Sequence, residues 1–129
     1  MNLLLDTHVW LWSLTAPERI AAETLDLMSD MENQLYFSTV SAWEIAIKYR
    51  IGKLPLPEPP VRFVPARLNR DGIISLPVEN RHALAVSELP LHHNDPFDHL
   101  LIAQAQVEEY FLVTHDEKMM GYDVDIIRA

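Results

Sequence analysis

Short apolar segments alternate along this chain with longer segments whose apolar residues recur at helical spacing. Five segments predict buried strands, at residues 3–5, 36–38, 73–76, 110–114 and 125–127. Helical spacing is found between them, at residues 7–14, 17–31, 41–48, 61–69, 79–89 and 96–105. Strands separated by helices pair in parallel through right-handed crossovers. The alternation therefore predicts an α/β fold, a three-layer sandwich in which helices flank a central, mostly parallel sheet of short strands.

Length and composition narrow the class of protein further. The 129 residues predict a single domain, residues 1–129, that can bury a core unaided. Because the chain has no cysteine, disulfide scaffolds and thiolate zinc sites are excluded. No apolar run approaches the ~20 residues that span a bilayer, and the N-terminus has no basic region. We therefore expect a soluble, cytoplasmic protein without a membrane partner.

Acidic residues follow two of the predicted strands and open one of the predicted helices. Asp6 comes directly after the first strand, Asp116 follows the fourth, and Asp95 and Asp98 begin the helix at residues 96–105. Glu44 lies within the helix at 41–48. In parallel sheets, ligands bind outside the carboxyl ends of the strands. We expect these five acids to meet at that edge of the sheet.

Each acid also has a purely structural explanation. Asp6 and Asp95 are well placed to cap the helices that follow them. Ser41 and Glu44 have the spacing of a capping box, in which the acid satisfies backbone donors. Capping alone does not require the acids to share one edge, so their convergence is the feature that would favour a functional site.

Carboxylates gathered in one crevice repel one another unless some are protonated or a cation lies between them. Mg2+ or Mn2+ fits such a site, because hard divalent ions bind carboxylates and water and keep positions for phosphate oxygens. Two such ions about 4 Å apart can activate a water and stabilise the leaving oxygen of a phosphodiester. The acids therefore predict metal-assisted phosphoryl transfer.

The net charge and the position of the basic residues limit how this chain could bind a nucleic acid. A formal net charge of −9 argues against a domain that holds nucleic acid by bulk electrostatics, but it permits a nuclease whose metal ions supply positive charge. Six of the ten basic residues fall between positions 48 and 70: Lys48, Arg50, Lys53, Arg62, Arg67 and Arg70. This segment is either an edge that faces RNA or a solvated surface.

Four motifs resemble PIN-domain toxins of the VapBC type in order and spacing, over nearly the whole chain. They are Leu-Leu-Asp6-Thr-His-Val-Trp, Ser-Ala-Trp-Glu44-Ile-Ala-Ile-Lys, Asp95-Pro-Phe-Asp98-His-Leu-Leu-Ile-Ala-Gln-Ala and Leu-Val-Thr114-His-Asp116. The resemblance implies a Mg2+- or Mn2+-dependent endoribonuclease that acts on RNA as a toxin. It also implies a homodimer and inhibition by a cognate antitoxin protein.

The resemblance also assigns roles to individual residues. Asp6, Glu44, Asp98 and Asp116 would be the catalytic, metal-binding acids, with Asp95 as a fifth metal-binding carboxylate. Thr114 would support them by positioning water or a metal-bound carboxylate. One position departs from the family pattern, because His99 stands where an arginine usually follows this motif. If that arginine contacts phosphate or orients an acid, the activity here could differ.

Other functions compete with this one. His92 and His93 suggest metal-free RNA cleavage with histidines as acid and base, which would leave a cyclic phosphate, although adjacent loop histidines are usually only exposed. A receiver or haloacid-dehalogenase domain also places an acid after its first strand. The latter needs a second acid where this chain has His8, and the paired acids of a receiver are missing.

The remaining alternative is a catalytically silent PIN-like module that binds RNA or protein. Loss of an acid would be its simplest sign, and none is lost. A partner surface can coexist with catalysis, and one candidate groove for an antitoxin peptide or a second subunit is formed by Trp10, Trp12, Tyr49 and residues 55–60. Aromatic residues at helical spacing also fit the core.

Overall fold

The fold is built around a five-stranded parallel sheet. A computed structural model describes residues 1–129, and its strands are β1 (Asn2–Leu5), β2 (Gln34–Ser38), β3 (Ile74–Leu76), β4 (Phe111–Thr114) and β5 (Ile126–Arg128). The strand order is β3-β2-β1-β4-β5, and all four pairings are parallel. The predicted α/β sandwich is confirmed, with a sheet that is wholly rather than mostly parallel.

Six α-helices connect and cover the strands: α1 (Thr7–Thr15), α2 (Ala22–Ser29), α3 (Thr39–Arg50), α4 (Pro60–Asp71), α5 (Asn80–Ala85) and α6 (Pro96–Glu108). The single helix predicted at 17–31 is wrong, because a short 3-10 turn at Pro17–Arg19 precedes α2. Between them Ile20 is extended, with its side chain buried in the core. The helix predicted at 79–89 is likewise divided into α5 and a 3-10 turn at Val86–Glu88. None of the helices has both the length and the apolar character that crossing a membrane requires.

Two apolar layers cover the two faces of the sheet. Alternate residues of β1 face opposite sides, so that Leu3 and Leu5 join one layer and Leu4 the other. The first layer is completed mainly by α1, α2 and α4, and the second by α6. Helix α3 contributes to both, through Val40 in the second layer and Ile45 in the first. It therefore lies where the layers meet, at the end of the sheet.

Trp10 is a central residue of the first layer. It is fully buried, with its ring centroid 4.7 Å from that of Phe37 and 6.2 Å from that of Phe63. The prediction that Trp10 could line a surface groove is therefore wrong. Trp43 is the exposed tryptophan, with 59% of its surface accessible. Trp43 therefore forms an exposed aromatic surface on α3. The helical spacing of apolar residues does not show which tryptophan is exposed and which is in the core.

The order of the strands places a crevice beside β1. From β1 the chain passes to β2 on one side, whereas β4 pairs with β1 on the other side. Such a change of direction opens a gap between the loops at the carboxyl ends of the two central strands. The ladder continues one residue beyond β1, because the Asp6 backbone N–H donates to the Val113 carbonyl at 2.9 Å. Asp6 thus stands at the edge of this gap.

Candidate active site at the carboxyl edge of the sheet

Asp6 and Thr114 join the ends of the two central strands. Asp6 is 5% exposed and Thr114 is fully buried. The Thr114 hydroxyl donates to Asp6 Oδ2 at 2.8 Å and accepts from the Asp116 backbone N–H at 3.1 Å. One threonine therefore connects the acid after β1 with the acid after β4, and both lie at the same edge, as the strand pattern predicts.

Of the two acids that follow the central strands, Asp116 is more exposed to solvent than Asp6. Its Oδ1 accepts from the Lys118 backbone N–H at 2.9 Å and so begins a 3-10 turn at Glu117–Met119. The side chain is only partly buried. The turn occupies one carboxylate oxygen, and the other accepts no hydrogen bond from the protein.

Glu44 is free of the capping role that its spacing from Ser41 suggests. The N-cap of α3 is Ser38, whose hydroxyl accepts from the Val40 N–H at 3.0 Å. The hydroxyl of Ser41 instead accepts from Thr7 at 2.7 Å, which ties α3 to α1 beside Asp6. The predicted capping box is therefore wrong, because the helix begins earlier than the motif implies.

Glu44 has one cationic neighbour. It is 4% exposed, and the Lys48 ammonium donates to its Oε2 at 2.5 Å. The lysine lies one turn further along α3, with 37% of its side chain exposed. A carboxylate withdrawn from water is costly unless it is paired, so this lysine or a bound cation must compensate Glu44.

Asp95 and Asp98 have different roles in the first turn of α6. Asp95 Oδ1 accepts from the backbone N–H groups of Phe97 at 2.9 Å and Asp98 at 3.3 Å, so Asp95 is a helix cap. The Asp98 side chain makes no capping bond. It is 8% exposed, and its Oδ2 lies 2.9 Å from His93 Nε2.

The pKa values of Asp6 and Asp98 are both raised, in part by the charges of neighbouring acids. Burial raises the pKa of Asp6 above its usual range, the charge of Glu44 raises it further, and the hydrogen bond from Thr114 opposes both. Burial also raises the pKa of Asp98 to about 7, with added contributions from the charges of Asp95 and Asp6 and an opposing hydrogen bond from His93. Repulsion of this kind is relieved when a cation enters.

No three of the five acids at the carboxyl edge (Asp6, Glu44, Asp95, Asp98 and Asp116) have ligand atoms that all lie within 4.8 Å of one another. The only three potential ligands whose ligand atoms all lie within 4.8 Å of one another are Glu79, His82 and Glu108. The five edge acids are more open, which suits Mg2+, an ion that takes one or two carboxylates and keeps several waters. Their burial and mutual repulsion supply the negative field that such an ion requires.

The compact group at Glu79, His82 and Glu108 is already satisfied by the protein. The Glu79 backbone N–H donates to His82 Nδ1 at 3.0 Å, so His82 Nε2 carries the proton that it shares with Glu108 at 2.9 Å. Arg81 forms ion pairs with both glutamates. Glu108 ends α6 and lies roughly 15 Å along this helix from Asp98. This group is therefore separate from the edge acids.

Two contacts of the candidate site, made by His93 and Lys48, are not predicted by the sequence analysis. His93 was expected to be exposed, but its ring contacts Asp98 and Tyr122, and only 11% of the side chain is accessible. No sequence signal marks that contact, since it depends on the shape of the loop before α6. Lys48 could have been found, because it follows Glu44 by four residues on one helix.

The basic segment is only partly free to face RNA. Lys48 is paired with Glu44, Arg67 lies 3.8 Å from Glu58, and Arg70 lies 2.9 Å from Asp71. Arg50, Lys53 and Arg62 form no ion pair. Half of the segment is thus compensated by neighbouring acids, and Lys48 is the member that reaches the edge acids.

Asp98 gives the chain a pH dependence of stability that can be measured. Its pKa is about 7 in the fold against an ordinary value of 3.8, so between these values the folded state binds more protons than the unfolded state. Stability should therefore fall as the pH rises through that interval. In chelator, Asp98→Asn should raise Tm by about 3 °C at pH 8, corresponding to about 1 kcal/mol after discounting for residual solvent contact.

Thermal unfolding followed by circular dichroism at pH 4.5 and pH 8 measures this difference. The gain should shrink at the lower pH, because pH 4.5 lies close to the ordinary pKa of 3.8 and protonating Asp98 on folding then costs little. Saturating Mn2+ at pH 8 should reverse the order, because the ion should stabilise the native chain more than the variant. An equal Tm difference at both pH values would show that Asp98 titrates normally.

Comparison with known proteins identifies the family. The PIN domain family matches this chain over residues 3–124. Ribonuclease VapC16 of Mycobacterium tuberculosis is 48% identical over 60 residues, which are 46% of this chain and 43% of that protein. The match thus spans less than half of the relative's length.

Two solved structures show the same fold over almost the whole chain. The structure of VapBC2 from Rickettsia felis bound to a promoter DNA fragment has a TM-score of 0.74 at 17% identity, covering 99% of this chain and 98% of that chain. VapBC-5 from Mycobacterium tuberculosis, described as a member of the VapBC family of toxin-antitoxin systems, has a TM-score of 0.64 at 19% identity with the same coverage. At these identities the likeness is one of fold. With the family match over residues 3–124, it establishes that the chain belongs to the PIN domain family.

Proposed function

We propose that residues 1–129 form the catalytic domain of a metal-dependent endoribonuclease that acts as the toxin of a toxin–antitoxin pair. The observation that supports the proposal is that Asp6, Glu44 and Asp98 are each less than 10% exposed, while the charge of Glu44 raises the pKa of Asp6 and the charge of Asp6 raises that of Asp98. Their burial and mutual repulsion favour binding of a cation there. The relative named as a ribonuclease supports RNA as the substrate.

The proposed metal ligands are Asp6, Glu44, Asp98 and Asp116, with Asp95 as a nearby fifth carboxylate. Mg2+ or Mn2+ bound there would supply a water of lowered pKa and positive charge for the phosphate oxygens. Asp95 contributes mainly through its charge, because its Oδ1 is engaged in capping α6. Asp95 and Asp116 are only partly buried, so both are more open to solvent than Asp6, Glu44 and Asp98.

The protein's own residues hold this arrangement in place. Thr114 fixes the Asp6 carboxylate and the backbone of Asp116 at one edge. The bond from Thr7 to Ser41 fixes the first turn of α1 against α3, which carries Glu44. Lys48 neutralises Glu44 and lies partly in solvent, where its ammonium can contact a substrate phosphate.

The proposed partners are an antitoxin protein and a second copy of this chain. An antitoxin follows from the toxin-antitoxin description of one structural relative and from the acidic character of this chain, which carries a net charge of −9. A basic side chain inserted among Asp6, Glu44 and Asp98 would reduce the electrostatic repulsion between these carboxylates and occupy the place of a metal ion. Inhibition by such a residue is therefore chemically favourable.

Cleavage of structured cellular RNAs tests the proposed activity directly. Purified protein, free of any partner, is incubated with the RNA pool in Mg2+ or Mn2+, with chelator and the Asp98→Asn variant as controls. We expect cleavage with 5′-phosphate and 3′-hydroxyl ends, lost in both controls. Cleavage that survives both controls, or ends that carry a cyclic phosphate, would exclude the carboxylate mechanism. Absence of cleavage by every preparation that binds Mn2+ would favour the silent binding module.

A further inference from the structure

A buried polar network lies directly behind Asp98. His93 Nε2 contacts Asp98 Oδ2 at 2.9 Å, and His93 Nδ1 contacts the Tyr122 hydroxyl at 2.9 Å. His99 Nε2 contacts the His93 carbonyl at 2.7 Å and the Tyr122 hydroxyl at 3.2 Å. Tyr122 is 4% exposed and His99 is 8% exposed. Three parts of the chain, the loop before α6, α6 itself and the loop after β4, thus meet at this carboxylate.

The contacts determine which nitrogen of each histidine carries a proton. A carbonyl oxygen only accepts, so His99 Nε2 must donate to the His93 carbonyl. The Tyr122 oxygen accepts from the His93 backbone N–H at 3.4 Å and faces the same His99 donor. Its own proton is therefore directed to His93 Nδ1. With Tyr122 as the donor to Nδ1, His93 Nε2 is the nitrogen that donates to Asp98 Oδ2.

His99, the residue directly after Asp98, takes part in this network through its hydrogen bond to the backbone of His93. His99 is 8% exposed, and its side chain points into the protein towards His93. It holds the backbone of His93, while Tyr122 holds the ring. The network occupies Asp98 Oδ2 and leaves Oδ1 without a hydrogen-bond partner in the protein. Ligating carboxylates commonly depend on such supporting hydrogen bonds.

We propose that His93 is a positioning residue that orients the Asp98 carboxylate for a divalent ion, with Tyr122 and His99 fixing the orientation of His93. This inference rests on the proposed metal site. His93 does not reach the ion or the substrate in this role; it acts through Asp98.

The tautomer of His93 tests the network without any metal. Long-range proton–nitrogen NMR spectra of the chelated protein at pH 8 should show His93 protonated at Nε2 and unprotonated at Nδ1. In Tyr122→Phe the Nδ1 acceptor loses its donor, so we expect the two tautomers to become mixed. A native His93 that is protonated at Nδ1 and unprotonated at Nε2 would overturn the assignment, since Nε2 could not then donate to Asp98.

Mn2+ affinity, measured by calorimetry and by electron paramagnetic resonance, tests the role of the network. His93→Ala should weaken Mn2+ binding by about 10- to 100-fold, the usual effect of losing a residue that supports a metal ligand. His93→Gln should recover most of the affinity, because its amide can donate to Asp98. Leu91→Ala is the matched control, since it truncates a side chain in the same loop that is 82% exposed and makes no contact with Asp98.

The outcomes separate this inference from the proposed function. Native protein that binds Mn2+ while His93→Ala binds it equally well would overturn the positioning role and leave the nuclease proposal intact. Native protein that binds no Mn2+ would overturn both. If His93→Ala fails to fold, Tyr122→Phe gives the decision, because it removes only the hydroxyl that fixes the His93 ring. Weaker Mn2+ binding by Tyr122→Phe would then support the positioning role, and native affinity would overturn it.

Discussion

Replacement of Asp6 by asparagine should lower RNA cleavage by about a thousandfold, which corresponds to about 4 kcal/mol of transition-state stabilisation. The asparagine side chain would keep nearly the same shape and could still accept the hydrogen bond from Thr114. It would lack the charge that joins Asp6 electrostatically to Glu44 and Asp98. Because burial raises the pKa of Asp6, removing that charge should not destabilise the metal-free fold.

Single-turnover cleavage of one RNA in saturating Mn2+ measures this loss. Asp26→Asn is the matched control, because it makes the same chemical change at an exposed position of α2. The control should cleave within twofold of the native rate. Asp6→Asn should also bind Mn2+ more weakly while its circular dichroism spectrum is unchanged. Retention of more than a tenth of the native rate would show that Asp6 is not part of the catalytic centre.

The parts of the fold that depend on local patterns were predictable from the sequence. Each predicted strand is present, because short apolar runs followed by turns have few other ways to be buried. Asp6 and Asp116 were placed at one edge because parallel strands end on the same side of a sheet. Their catalytic roles remain predictions, which the cleavage and binding experiments test.

Features that depend on tertiary contacts were not predictable. The extended backbone at Ile20 divides the expected helix, because burying that side chain against the sheet outweighs the helical preference of its neighbours. Ser38 rather than Ser41 caps α3, since the strand before it ends close to the helix. His93 and Tyr122 are 29 residues apart, and nothing in either local sequence indicates that they meet at Asp98.

Replacement of Trp10 by alanine should lower the free energy of unfolding by about 3–5 kcal/mol, the usual cost of removing a buried aromatic side chain. The ring packs between Phe37 of β2 and Phe63 of α4, so its loss leaves a cavity in the first apolar layer, between the sheet and α4. Natural domains have only about 5–15 kcal/mol of stability in total. We therefore expect this single change to bring the chain close to unfolding at 37 °C.

Urea unfolding with Trp43→Ala as the matched control measures the difference between a buried and an exposed tryptophan. Trp43→Ala should cost about 1 kcal/mol or less, because that side chain is 59% exposed. Trp10→Phe should cost less than Trp10→Ala, since it keeps a ring and removes an indole N–H that has no hydrogen-bond partner. Equal costs at positions 10 and 43 would contradict a core centred on Trp10. Trp10 belongs to α1, the helix that begins directly after Asp6. At urea concentrations that unfold Trp10→Ala but leave the native chain folded, the variant should therefore also bind Mn2+ more weakly.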